Sequence, residues 1–163
     1  MGFATEVWRS GGGVADLNCT REHYGVYGIW WQSGLIVAIR KGRGPYLGML
    51  DLPGGSPQTG ETDMETLERE LREECGLSNV AVSSWHAFDF QVEKSSSGES
   101  IAFRHRGLIA LVTVQDEIRF IAGVEDVEGV ELIDPTKHAV EEFTPAFAYA
   151  LALLDSGADT RGY

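Results

Sequence analysis

Gly55-Ser56-Pro57-Gln58-Thr59-Gly60-Glu61-Thr62-Asp63-Met64-Glu65-Thr66-Leu67-Glu68-Arg69-Glu70-Leu71-Arg72-Glu73-Glu74-Cys75-Gly76-Leu77 reads as a glycine-rich turn running into a helix. Thr62 with Glu65 three residues on fits a capping box, and Gly76 fits the position just past a helix end. At 100° per residue, Met64, Leu67, Leu71 and Cys75 lie within about 60° of one another and form a narrow core stripe. Glu70, Glu73 and Glu74, at i, i+3 and i+4, project beside it from one face. Like charges at that spacing repel by roughly 0.2–0.5 kcal/mol per pair. Glu65 is spaced to pair with Arg69 and Glu68 with Arg72, so the other three glutamates lack a matching set of cations. A hard divalent cation, Mg²⁺ or Mn²⁺, is the obvious group to offset that repulsion, because it takes carboxylate oxygens and shares them with substrate phosphates.

The same stretch resembles the Nudix (MutT-like) box, G-x5-E-x7-R-E-U-x-E-E-x-G-U with U aliphatic. It matches at Gly55, Glu61, Arg69, Glu70, Leu71, Glu73, Glu74, Gly76 and Leu77, which is every fixed position. The resemblance implies an α/β (α+β) Nudix fold, a mixed β-sheet sandwiched between α-helices, over roughly residues 24–154. It implies Glu73 and Glu74 as metal ligands, Glu70 as a further ligand or the base, and the Gly54 carbonyl as part of the metal shell. Arg69 resembles the box arginine that orients neighbouring carboxylates, and Glu61 the residue that shapes the loop–helix junction. Some relatives recruit a carboxylate from a loop before a late strand; Glu125, Asp126 and Glu128 lie there, and Asp126 is the favoured one, against the bland alternative of solvated loop acids.

The bulk composition fits this reading. The chain of 163 residues is long enough for one domain with a substantial core, and its 43% hydrophobic and 23% charged content is ordinary for a globular protein. A net charge of −12 argues against binding a nucleic-acid polymer, which needs basic surface. It makes a cation more necessary for a polyphosphate substrate. Cys19 and Cys75 make no disulfide framework, and Cys75 falls on the apolar stripe of the helix. No apolar run approaches the ~18 residues of a membrane span, and no basic-then-apolar leader opens the sequence. The expected location is cytoplasmic, with no membrane partner.

Outward from the box the chain alternates strand and turn. Residues 1–22 read as an N-terminal extension, with a short strand near Val7-Trp8 and a candidate role in a homodimer. Tyr24 to Trp31 and Leu35 to Arg40 read as a hairpin about Gln32-Ser33-Gly34, residues 41–49 as a loop, and Leu50-Asp51-Leu52 as a short strand. Phe88, Phe90 and Val92 alternate with polar residues. Ile101 to Val114 is a long strand whose apolar parity changes near Gly107, as a β-bulge or a passage into a fully buried segment would produce. Val127 to Ile133 is another strand, and Thr144-Pro145 opens a helix through Leu154.

Four residues outside the box are candidates for contact with substrate. Arg40, near the box loop, is placed to grip a phosphate, and Arg104 and Arg106 share one strand face and could read phosphate or base. Tyr46 in the Gly44-Pro45-Tyr46 loop is a candidate surface for stacking on a base. Charged surface and loop packing are the alternatives. His86, His105 and His138 lack ligand spacing and read as structural.

The chemistry implied is Mg²⁺-dependent hydrolysis of a diphosphate linkage in a nucleoside diphosphate derivative, first a (d)NTP giving monophosphate and pyrophosphate. ADP-ribose, NDP-sugar and dinucleoside polyphosphates are the alternatives; the proline or tyrosine that often marks such relatives is absent from the window Val92-Glu93-Lys94-Ser95. A non-catalytic nucleotide-binding sensor of the same fold is the alternative from another class, and the intact box argues against it. An isomerase of isoprenoid diphosphates would need catalytic groups not identifiable here.

Overall fold

The computed structural model describes residues 21–115 and 127–156. Expectations for Val7-Trp8, Cys19, the N-terminal extension and Asp126 fall outside the described residues. The elements are β1 (Arg21–Ile29), β2 (Trp31–Gln32), β3 (Leu35–Lys41), β4 (Leu50–Asp51), β5 (Gly54–Gly55), α1 (Asp63–Cys75), β6 (Val80–Lys94), β7 (Ser100–Val114), β8 (Val127–Ile133) and α2 (Pro145–Asp155). One four-stranded sheet runs β5-β1-β7-β6; in the other, β3 pairs with β2, β4 and β8. β1 and β7 are parallel, in register from Arg21↔Phe103 to Ile29↔Leu111, and the other pairings are antiparallel.

Strand alternation divides the core. Tyr27 and Ile29 of β1, Ile36 and Ala38 of β3, and Ile109 and Leu111 of β7 pack with Phe147, Ala150 and Leu154 of α2. Their neighbours Val26, Trp30, Val37, Ala110 and Val112 pack with Leu67, Leu71 and Cys75 of α1. Side chains that alternate along a strand therefore feed two helices on opposite sides, which is the layered α+β sandwich expected from the sequence. Each fully buried leucine of α1 contributes roughly 1.5–3 kcal/mol of transfer free energy. No helix among the described residues is long and apolar enough to cross a membrane.

The box helix forms where its signals place it. Thr62 Oγ1 accepts from the Glu65 amide at 3.2 Å, and Glu65 Oε2 accepts from the Thr62 amide at 2.8 Å. Gly76 closes the helix in the left-handed region at φ 69°. At α2, Thr144 Oγ1 accepts from the Phe147 amide at 3.3 Å and Pro145 occupies the first turn.

Two expectations are corrected. The run Tyr24 to Trp31 is not one hairpin arm: β1 pairs with β5 and β7, and only Trp31 and Gln32 pair with β3. The chain leaves one sheet for the other at Trp30, whose ring is buried while Trp31 is exposed. No bulge occurs at Gly107 either, since the β1–β7 and β6–β7 registers run through it without a shift. The parity changes because β7 becomes buried on both faces from Ile109 to Val112, the other explanation the sequence offered. Gly107 has a different purpose. It faces Gly25 across β1, and any Cβ there would strike the Gly25 carbonyl.

Candidate active site

β1 carries the box loop. Val26 pairs with Gly55 and Tyr27 with Gly54, and the Gly28 amide donates to the Pro53 carbonyl at 2.9 Å. Leu67 and Leu71 pack α1 beside Val26, so the glutamate face of the helix meets the glycine turn. Glu74 is 5% exposed and accepts from the Gly54 amide at 3.1 Å. Gly55 is closed on by Glu70: a Cβ at position 55 would lie 2.5 Å from Glu70 Oε1. That proximity is the local reason for glycine at the first box position.

Arg69 organises the rest. Its Nε donates to Glu61 Oε1 at 2.6 Å and its Nη2 to Glu61 Oε2 at 3.0 Å, a bidentate clamp. Nη1 donates to Glu70 Oε1 at 2.8 Å and to Glu73 Oε2 at 3.3 Å, and Nη2 also reaches the Ser56 carbonyl at 3.0 Å. The arginine therefore joins loop, helix and two face carboxylates, and it is not the partner of Glu65 that the i, i+4 spacing suggests. Glu65 is occupied with the helix cap.

The electrostatics follow from burial. The Arg69 hydrogen bond holds Glu61 down to about 2. Glu70 is pushed up, first by desolvation, although Arg69 pulls the other way. Glu74 is pushed well above the ordinary carboxylate range by desolvation and then by the Glu70 charge, with the Gly54 N–H opposing. Glu73 remains half exposed. Carboxylates crowded around one guanidinium, one of them buried beside another, are a donor set that fits a hard cation. Among the described residues no three His, Cys, Asp or Glu side chains close tightly enough to enclose one; Glu70 and Glu73 are drawn onto Arg69 instead.

This geometry yields one test. Gly55→Ala should push the Glu70 carboxylate off the turn while α1 keeps its core stripe. We expect activity to fall about tenfold or more, since misplacement by about 1 Å costs up to ~100-fold, with melting changed little. Steady-state kinetics and a thermal melt check both.

The remaining sequence candidates are dispersed. Arg40 makes a bidentate pair with Glu131, at 2.7 and 3.1 Å, and donates to the Gly48 carbonyl at 2.9 Å. Arg104 pairs with Asp89 and with Glu22. Arg106 pairs with Glu22 and lies over the Tyr24 ring. These are charged-surface contacts within the fold. Tyr46 is packed inside rather than presented as a stacking surface: it is 6% exposed, its hydroxyl meets His105 Nδ1 at 3.0 Å, and its ring stands edge-on to Phe103.

His105, read from the sequence as structural, is buried next to the box loop in a polar group whose other members, Tyr27, Tyr46 and Asp51, sequence reasoning did not connect with it. His105 is held by Tyr46 at one ring nitrogen and by Tyr27 at the other, at 2.9 Å. Burial pushes both His105 and His23 down to about 4. Asp51, 2% exposed, lies three residues ahead of Gly54. The available signal was a lone charge within the apolar Leu50-Asp51-Leu52, just before the glycine turn.

Comparisons with known proteins bear on the family and the fold. The family model described as NUDIX domain matches residues 21–154. The MutT protein of Methanosarcina mazei Go1 is 16% identical with a TM-score of 0.64, over 86% of this chain and 98% of that one. A MutT NUDIX hydrolase of Burkholderia pseudomallei is 20% identical with a TM-score of 0.57, over 81% and 97%. A bifunctional NMN adenylyltransferase/ADP ribose pyrophosphatase of Francisella tularensis, complexed with AMP and Mn ion, is 18% identical with a TM-score of 0.62, over 85% of this chain and 43% of that one. At these identities the structural likeness is one of fold. No curated protein matches the chain.

Proposed function

The chain belongs to the Nudix family of pyrophosphohydrolases, and on that premise we propose that it hydrolyses a diphosphate linkage in a nucleoside diphosphate derivative, foremost a (d)NTP to monophosphate and pyrophosphate. The observation that carries this reading is the face Glu70–Glu73–Glu74 set against Gly54 and Gly55, with Glu74 buried and Arg69 spanning the other two. Glu73, Glu74, Glu70 and the Gly54 carbonyl are the groups that would hold Mg²⁺ or Mn²⁺, and Asp126 is a further candidate. Bound there, the ion neutralises phosphate charge and lowers the pKa of coordinated water. Arg69 fixes the carboxylates so that they need not reorganise during reaction. Glu70 is either that further ligand or the base; as the base, its desolvated carboxylate would take the proton of the attacking water as the water oxygen bonds to phosphorus and the anhydride oxygen leaves. The nucleotide class rests on family membership and on the acidic net charge of −12, which suits a cation-bridged small anion better than a polymer.

A panel of nucleotides with Mg²⁺ and with Mn²⁺, its products separated by chromatography, tests the reading. Metal-stimulated release of monophosphate and pyrophosphate is expected. Nucleotide binding without metal-stimulated cleavage across the panel would favour a sensor module instead. Thermal melting gives a second readout. The raised folded-state values of Glu70 and Glu74 contribute stability that is present below the ordinary carboxylate range and lost as pH rises through them. Near neutrality the metal-free protein therefore carries that cost, and Mg²⁺ should raise the melting temperature at pH 7.5 by several degrees, at about 2–4 °C per kcal/mol for a domain of this size. The rise should be smaller at pH 5, and no rise at pH 7.5 would remove the metal from this face.

A further inference from the structure

The sheet that bears the box loop ends unequally. At one edge, β5 is 2 residues long. At the other, β6 runs for 15 residues and pairs, among the described residues, with β7 alone. An edge strand turns alternate N–H and C=O groups outward, where another strand can supply their partners. Proteins ordinarily blunt such edges with brevity, bulges, proline or charge. In the second sheet, β2 and β4 are 2 residues each, and β8 carries Glu128 and Glu131 among its 7 residues. In β6 the register shifts fall only near the ends, at Val82/Ser84 and Val92/Lys94. Between them, residues 84–92 keep one register with β7, contain no proline and hold a single charged residue, Asp89. Both Asp89 oxygens accept from Arg104 of β7, so even that charge is answered within the sheet. Trp85, 38% exposed, and Ala87, also exposed, lie along this segment.

We propose that this edge docks a second copy of the chain. Two β6 strands pair antiparallel over residues 84–92 about a two-fold axis at Phe88, the middle of the segment, and join two four-stranded sheets into one. In that register Asp89 of each copy faces Ala87 of the other, and Trp85 faces Gln91. No two like charges lie opposite, whereas parallel pairing in register would set Asp89 beside Asp89. The net charge of −12 holds copies apart over most of their surface, so a nearly uncharged edge is the part that can bring them together. The same edge serves both copies, an isologous contact that closes at a dimer instead of growing into a filament. Nine residues a side is under half of the roughly 20–30 of a standard stable interface, so monomer and dimer exchange. The contact lies at the opposite edge of the sheet from Gly54 and Gly55.

Sedimentation velocity of the full chain from about 1 to about 200 μM should show the average mass rising towards twice the monomer's. Ala87→Glu sets a glutamate opposite Asp89 of the other copy and should hold the mass at the monomer's throughout. The residue is exposed, so A87E should melt within about 2 °C of the wild type. Amide hydrogen exchange gives a second measurement that needs no variant. Alternate amides of residues 84–92 should exchange fast in the dilute monomer and about fivefold or more slower at the highest concentration. A monomer at every concentration overturns the proposal. So does a dimer that A87E leaves intact, or one that forms without slowing those amides. Slow exchange of the same amides in the dilute monomer would mean that the chain covers its own edge, and overturns it too.

Discussion

Glu74→Gln is expected to lower kcat by about 100- to 1,000-fold, the scale of losing one preorganised group aimed at developing charge, while the fold persists. The side chain is 5% exposed and its hydrogen bond from Gly54 is one that a glutamine oxygen can also accept. Removing the charge also removes the repulsion with Glu70 and the desolvation that raises Glu74. E74Q should therefore melt no lower than the metal-free wild type near neutral pH, and its Mg²⁺-induced rise in melting temperature should shrink. Loss of activity with stability retained is the signature of a functional charge held at a cost. Glu73→Gln is the companion. Glu73 is half exposed and its Arg69 contact is the longest of that arginine's side-chain bonds, so its removal disturbs the fold even less. Both variants should lose activity, and the double variant should lose less than the product of the two because the pair acts as a unit. Full activity in both single variants would take the metal site away from this helix.

The parts of the site legible in the sequence are those built from local spacing. Caps and the i, i+3, i+4 glutamates lie within one helix, where geometry follows residue number. Arg69 defeated the same logic because its best partner, Glu61, sits in the loop before the helix, outside any helical spacing rule. Arg40, Arg104 and Arg106 looked available for phosphate because Glu131, Asp89 and Glu22 are distant in sequence and become neighbours only when strands pair. The break at Trp30 left no signal, since a run of aromatic and β-branched residues reads alike whether it stays in one sheet or passes into a second. Asp51 was hidden for a related reason: three residues with a charge in the middle read as a short strand, and the hydroxyl that bonds it, Thr144 at the cap of α2, comes nearly a hundred residues later.

Gly107→Ala should damage the fold more than any other single methyl group added to the sheet bearing the site. β1 and β7 run parallel and in register through Gly25↔Gly107, and the new Cβ would meet the carbonyl and amide of Gly25, with the nitrogen at 3.0 Å and the carbonyl closer. These are backbone atoms, which no rotamer change can move. Relief requires the two strands to separate, loosening the contact of Tyr27 with His105 two residues along each strand and, through Tyr27, the pairing that supports Gly54. Overpacking of this kind costs about 1–3 kcal/mol and more where backbone must shift; at about 2–4 °C per kcal/mol the melting temperature should fall by roughly 5–10 °C. Gly129→Ala is the control, because among the described residues nothing lies within 4 Å of its added carbon. Thermal melts of the two variants should separate clearly. A G107A protein melting within about 2 °C of the wild type would mean that the β1–β7 pairing does not hold the box loop in place, and the route from this strand pair to the glutamate face would have to be abandoned.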